Sequence, residues 1–155
     1  MPPSPKFSAL PGGRTILLSI KPKYADLILA GSKRVEFRRS WAAQEVTAVV
    51  LYSSSPIQKL VGVAKVESVI SASPTALWQT CQERGGGLTR DELRSYFAGK
   101  GKGIAVLLGE VSTLPSQVDP HDIFDHFVPP QSFRYLDPSE CRKFDSKFLQ
   151  RSSRT

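Results

Sequence analysis

Residues 19–39 read SIKPKYADLILAGSKRVEFRR, and the hydrophobic period changes twice inside this stretch. It opens on the end of a short apolar, β-branched run, Arg14-Thr15-Ile16-Leu17-Leu18-Ser19-Ile20, which predicts a buried strand. Lys21-Pro22 closes that strand, because proline fixes its own φ and pushes the preceding residue toward extended geometry. The same proline suits the first helical position. Tyr24, Leu27 and Ile28 then share one stripe at helical spacing, so a helix is predicted over 22–30 with Gly31 as its stop. After the glycine the period falls to two. Val35 and Phe37 alternate with Arg34, Glu36 and Arg38, the pattern of a strand with one apolar and one charged face.

The remaining segments follow from the same rules. Residues 45–52 (EVTAVVLY) predict a strand closed by Ser53-Ser54-Ser55-Pro56. Residues 59–71 are strongly β-prone, with Gly62 as a bulge or bend. Ser73-Pro74 opens a helix carrying Leu77, Trp78 and Cys81, and Gly85-Gly86-Gly87 breaks it. Thr89, followed three residues later by Glu92, predicts a capping box and a helix ending near Gly99. Residues 103–111 (GIAVLLGEV) predict a central strand, with irregular chain beyond it up to 127–136 (FVPPQSFRYL), where two prolines favour a rigid turn before a short last strand. A short helix through Cys141, Phe144 and Phe148 is possible. Strands outnumber helices, and the helices interrupt them without alternating. This excludes a doubly wound sheet and predicts an α+β fold, a small, mixed, mostly antiparallel β-barrel with helices capping its ends. The organisation expected is a flexible lead over 1–13, one folded domain over 14–138 and a basic tail over 139–155.

Composition narrows the function. A chain of 155 residues with 40% hydrophobic content suits one core and is far from a disordered composition. It holds no apolar run long enough to span a bilayer and no signal-peptide pattern at its start. Two cysteines, Cys81 and Cys141, are too few and too far apart for a disulfide framework or a zinc site, so a reducing, cytoplasmic setting is expected. The net charge of +7 is unevenly spread. Residues 1–60 carry nine Lys/Arg against three Asp/Glu, residues 61–141 seven against ten, and the rest five against one. A positive face that steers polyanions follows, with a plain solubility surface as the alternative.

Lys21, Lys23, Lys33, Arg34, Arg38 and Arg39 concentrate cations around Glu36, the only carboxylate among them after Asp26, which suits a hydrogen-bond acceptor that orients a base or positions Lys33 and Arg38. The same pattern could be a surface salt-bridge ladder of little energetic weight. His121 and His126 stand near Asp119, Asp122 and Asp125 without a recognisable ligand spacing, so no metal and no cofactor are expected. Gly99-Lys100-Gly101-Lys102-Gly103 lacks phosphate-loop spacing and reads as a turn whose lysines can touch backbone phosphates.

The run from Ser19 to Arg39 resembles the opening of ASCH domains, relatives of the PUA-like fold, whose element is spaced G-x-K-x-x-E/T-x-R. Gly31, Lys33, Glu36 and Arg38 match it position by position. The likeness extends through LYSSSP (51–56), VGVAKVESVI (61–70), SPTALW (73–78) and FVPPQSFRYL (127–136). It implies a five- or six-stranded barrel and a basic cleft lined by Lys33, Glu36 and Arg38, binding RNA or a modified nucleotide. Lys21, Tyr24 and Arg39 join that candidate site. Tyr52, Ser53 and Ser54 end a strand that, by the family likeness, opens onto the cleft, although turn chemistry accounts for the serines equally well. Gln131, Ser132, Arg134 and Tyr135 offer the mixture that stacks on and reads an unpaired base. One branch of the family removes the acetyl group of N4-acetylcytidine with a threonine in the acid position. Glu36 stands there in this chain, which weakens an amidohydrolase because carboxylates attack amides poorly. Another branch cleaves RNA, for which Lys33, Glu36 and Arg38 would be the catalytic set. A regulator contacting DNA ranks lower, since no recognition helix is apparent.

Overall fold

In a computed structural model the described residues are 13–152, with side chains described up to residue 146. The expectations for the N-terminal lead, for the Phe148 side chain and for the last three residues lie outside them. Strands β1 (Arg14–Ile20), β2 (Val35–Arg38), β3 (Val46–Ser53), β4 (Lys59–Ala72), β5 (Gly103–Val118) and β6 (Phe133–Tyr135) form one mixed sheet in the order β2-β5-β4-β3-β1-β6. Helices α1 (Pro22–Leu29), α2 (Pro74–Glu83), α3 (Arg90–Tyr96) and α4 (Pro138–Ser152) pack around it. Among the described residues only β1 and β3 run parallel, with Leu17 opposite Val50. The sheet curls into a half-barrel, the α+β architecture expected.

Both faces of the central strands are covered. Leu17 of β1 packs with Val50, Tyr52, Leu60, Leu114, Phe124, Leu136, Cys141 and Phe144 on one face. Its neighbours Ile16, Leu18 and Ile20 face the other way, onto Ala25 and Ile28 of α1. A third cluster joins Val35 and Phe37 of β2 to Leu77 and Cys81 of α2 and to Leu93 and Phe97 beneath α3. The alternation read from VEFR therefore points its apolar residues into this third cluster and turns Glu36 and Arg38 to the opposite side.

The bulge falls where Gly62 predicted it. Leu51 pairs with Gly62 but Tyr52 pairs with Leu60, so Val61 is the extra residue. A Cβ at Gly62 would lie 2.5 Å from Leu29 Cδ2 and 2.9 Å from the Ser112 carbonyl oxygen, so α1 and β5 both need its bare backbone. One expectation fails. Residues 112–118, read as irregular, continue β5 to Val118. Pro115 sits where the register jumps between Thr113 and Val118, a position with no ladder partner to lose, so the strand runs on past it. Among the described residues no helix is long and apolar enough to cross a membrane.

Candidate nucleotide-binding cleft

The open side of the half-barrel holds a cleft of about 990 Å³. Its floor is built by the turn between α1 and β2 and by β2 itself. Gly31, at φ +84°, ends α1, and the Lys33 amide donates to the Leu27 carbonyl, which turns the Lys33 side chain inward. Lys33 is 2% exposed. Its ammonium donates to the Gly86 carbonyl, lies 3.8 Å from Glu36 Oε1, and stands 5.3 Å from the centre of the Tyr24 ring and 5.6 Å from that of Phe37. The Gly85-Gly86-Gly87 loop closes over it; Gly85 and Gly87 have positive φ, and a Cβ at Gly85 would collide with the Ser32 carbonyl. Burial pushes the Lys33 amine below its ordinary value, and the nearby Glu36 carboxylate opposes that shift.

Arg38 completes the floor. Its Nη2 donates to the Ser19 carbonyl at 2.7 Å, and its Nε lies 3.3 Å from Glu36 Oε2. That contact is an ion pair by distance only: the buried Nε has no hydrogen-bond acceptor. Glu36 thus lies between Lys33 and Arg38, not between two arginines, because Arg34 turns away to the Glu83 carbonyl.

The walls come from four places. Lys21 and Tyr24 of α1 form one, and Tyr52 with Ser54, Ser55 and Gln58 forms the next. Asp91, Glu92, Ser95 and Tyr96 of α3 stand across from them, and Pro129, Pro130 and Gln131 form a roof. The Tyr96 hydroxyl donates to the Phe37 carbonyl at 3.1 Å, and burial pushes that phenol up. Burial also raises Tyr52, aided by the negative charge of Asp119. Ser19 ties floor to roof: its carbonyl accepts from Arg38, its hydroxyl donates to the Pro130 carbonyl at 2.7 Å, and its amide donates to the Ser132 carbonyl at 3.0 Å.

Of the residues singled out in the sequence, Lys21, Tyr24, Lys33, Glu36, Arg38, Tyr52, Ser54 and Gln131 come together on this surface. Five do not line it. Ser53 is buried at the end of β3. Arg39 donates to the carbonyls of Tyr96 and Ala98, outside the mouth. Ser132 meets Ser19 through its backbone. Arg134 pairs with Glu140 at 2.6 Å and covers the Phe124 ring, while the Tyr135 hydroxyl accepts from the Gln44 amide under the Arg14 guanidinium. The α3 residues went unread because their sequence was absorbed by the cap: Thr89 and Glu92 form the capping box that starts the helix. They also change the electrostatics. Lys21, Lys33 and Arg38 meet Glu36, Asp91 and Glu92, so the lining carries no net positive charge where a basic cleft was expected.

Residues 18–111 match the model of the ASCH domain family. The chain belongs to that family. This ASCH domain is 30% identical over 140 residues to an ASCH domain-containing ribonuclease from Zymomonas mobilis, spanning 88% of this chain and 94% of the relative. The crystal structure of ASCH from Zymomonas mobilis superposes with a TM-score of 0.79 at 28% identity, covering 86% of this chain and 94% of that one. The N-terminal domain of Staphylothermus marinus McrB shares the fold alone, with a TM-score of 0.56 at 12% identity over 94% of this chain and 99% of that one.

Proposed function

We propose that the ASCH cleft takes an unpaired nucleotide of RNA. The observation that carries this reading is the Glu36 carboxylate held between Lys33 and Arg38 on a floor flanked by Tyr24 and Tyr96. Balanced charge favours the polar edge of a base over a chain of phosphates: Glu36 accepts from ring or exocyclic N–H groups, and the Arg38 guanidinium presents its cation to a ring nitrogen or carbonyl. Aromatic walls supply sequence-tolerant stacking, worth about 1–3 kcal/mol per base. The volume is within the range of small-molecule sites and admits a nucleotide.

Cleavage is the second reading. The similarity to a protein named a ribonuclease favours it, as does the lowered Lys33 amine beside a carboxylate. In that chemistry Glu36 takes the proton of a 2′-hydroxyl as its oxygen attacks phosphorus. The 5′-oxygen leaves and takes a proton from water as a 2′,3′-cyclic phosphate forms, and Lys33 or Arg38 meets the charge on the phosphorane.

Labelled single-stranded RNA run on native and denaturing gels tests both. Shifted but intact RNA, lost with Lys33→Ala or Arg38→Ala, is the result expected for binding. RNA shortened by the wild type and left whole by Glu36→Gln would establish cleavage. Neither shift nor shortening would remove RNA as the ligand and turn attention to modified nucleosides.

A further inference from the structure

The cleft is electrically balanced, but the surface at one of its mouths is not. Ser95 and Tyr96 line the cleft at the end of α3, and the chain runs from them through Phe97 directly into the turn Gly99-Lys100-Gly101-Lys102-Gly103. The turn is held in place from below. The Lys100 amide donates to the Phe97 carbonyl at 2.9 Å, and Gly103 lies so close on the buried Phe97 ring that a Cβ there would approach it to 2.3 Å. Arg39 joins the turn from β2. It follows Arg38 of the cleft floor, and its Nη1 donates to the carbonyls of Tyr96 at 2.7 Å and Ala98 at 3.0 Å. The β2–β5 ladder, pairing Arg38 with Ile104, brings Arg39 alongside the Gly103 end of the turn.

Arg39, Arg94, Lys100 and Lys102 are all exposed, and none of them forms an ion pair among the described residues. Residues 37–44 and 93–109 contain no aspartate or glutamate, so Lys100 and Lys102 have no carboxylate within seven residues along the chain, whereas Arg94 shares α3 with Asp91 and Glu92. Elsewhere at the cleft the balance is different. Asp91 and Glu92 stand in the first turn of α3, and Asp119, whose charge reaches Tyr52, lies behind the β3 side with Asp122 and Asp125 close in sequence. Cations with no ion-pair partner have none to give up on meeting a phosphate, and each phosphate they neutralise releases counterions from the strand.

We infer that a single RNA strand leaves the cleft across the Gly99–Gly103 turn, where Lys100 and Lys102, flanked by Arg39 and Arg94, take its phosphates. This rests on the RNA reading above and gives the strand its path: base recognition inside a balanced cleft, backbone contact on the turn beside it. The separation matches how single-strand binders divide the work, with stacking platforms within and electrostatic tracks outside.

The test is binding of a labelled, mixed-sequence single-stranded RNA of about ten nucleotides, a length suited to one small binding fold, measured across a salt series. Wild type is compared with Lys100→Gln/Lys102→Gln and with a control, Lys65→Gln/Lys143→Gln, which removes the same charge elsewhere on the surface. Losing two phosphate contacts lowers the log–log salt slope by about 1.4, so the wild-type advantage shrinks about sevenfold between about 50 and about 200 mM salt. The control keeps the wild-type slope. An unchanged slope and affinity in the turn variant would overturn the track while leaving cleft binding standing. Equal losses in both variants would overturn it too, by showing that net charge alone acts. If the wild type binds no RNA at any salt, the track falls together with the reading beneath it.

Discussion

Lys33 is the residue on which the site turns. A buried ammonium is tolerated because it donates to the Gly86 carbonyl and faces Glu36 and two aromatic rings, yet burial still outweighs these partners and lowers its affinity for protons. The sign of the consequence for stability follows. The folded state binds the Lys33 proton less tightly than the unfolded chain does, so the folded protein is penalised while the amine is charged in both states. It recovers stability as pH rises through the lowered folded value toward the ordinary 10.5. Lys33→Met has no proton to lose there. Denaturation of both proteins across the alkaline range should therefore show wild type gaining on the variant as pH climbs; a wild type that loses ground would refute the assignment of burial as the dominant cause.

At the scale of the element, α3 carries more of the site than its seven residues suggest. It is too short to persist without its cap, in which the Thr89 hydroxyl accepts from the Glu92 amide and the Glu92 carboxylate accepts from the Thr89 amide. Thr89→Ala should cost about 1 kcal/mol of stability. It should also weaken ligand binding, because Asp91, Ser95 and Tyr96 stand on the turns that fray. A melting curve and a titration on the same preparation check both. This helix also marks how far the sequence could be read. Its start was legible because capping is local chemistry, written in residues three apart. That its polar face completes a cleft opened by β2 was not legible, since that depends on how the two elements pack through Phe37 and Phe97, whose rings meet edge to face at 6.2 Å. The G-x-K-x-x-E-x-R spacing brought Lys33, Glu36 and Arg38 together for the opposite reason: a tight turn followed by one strand keeps them within a few residues of each other. Arg134 and Tyr135 suited the ligand chemically, but their strand pairs with the outer side of β1, away from the cleft.

Across the whole molecule, α4 closes the face of the sheet opposite α1. Cys141 and Phe144 enter the same cluster as Leu17, Val50 and Phe124, with Phe127 packed against it just before the roof residues Pro129 to Gln131. The helix therefore helps hold the segment that covers the cleft. Phe144→Ala should remove about 3–5 kcal/mol of stability, the range for deleting a buried ring. Chemical denaturation measures it, and a loss under about 1 kcal/mol would mean that α4 is only loosely joined to the core.

The triple attachment at Ser19 bears on time as well as on structure. Floor and roof both bond to this residue, and of its three bonds only the one to Pro130 is made by its own side chain. Ser19→Ala leaves Arg38 its carbonyl and unlatches the roof. Association and dissociation should then both quicken, with their ratio little changed, so that the variant holds its guest as firmly at equilibrium but for a shorter residence. Stopped-flow mixing would separate that outcome from a plain loss of affinity.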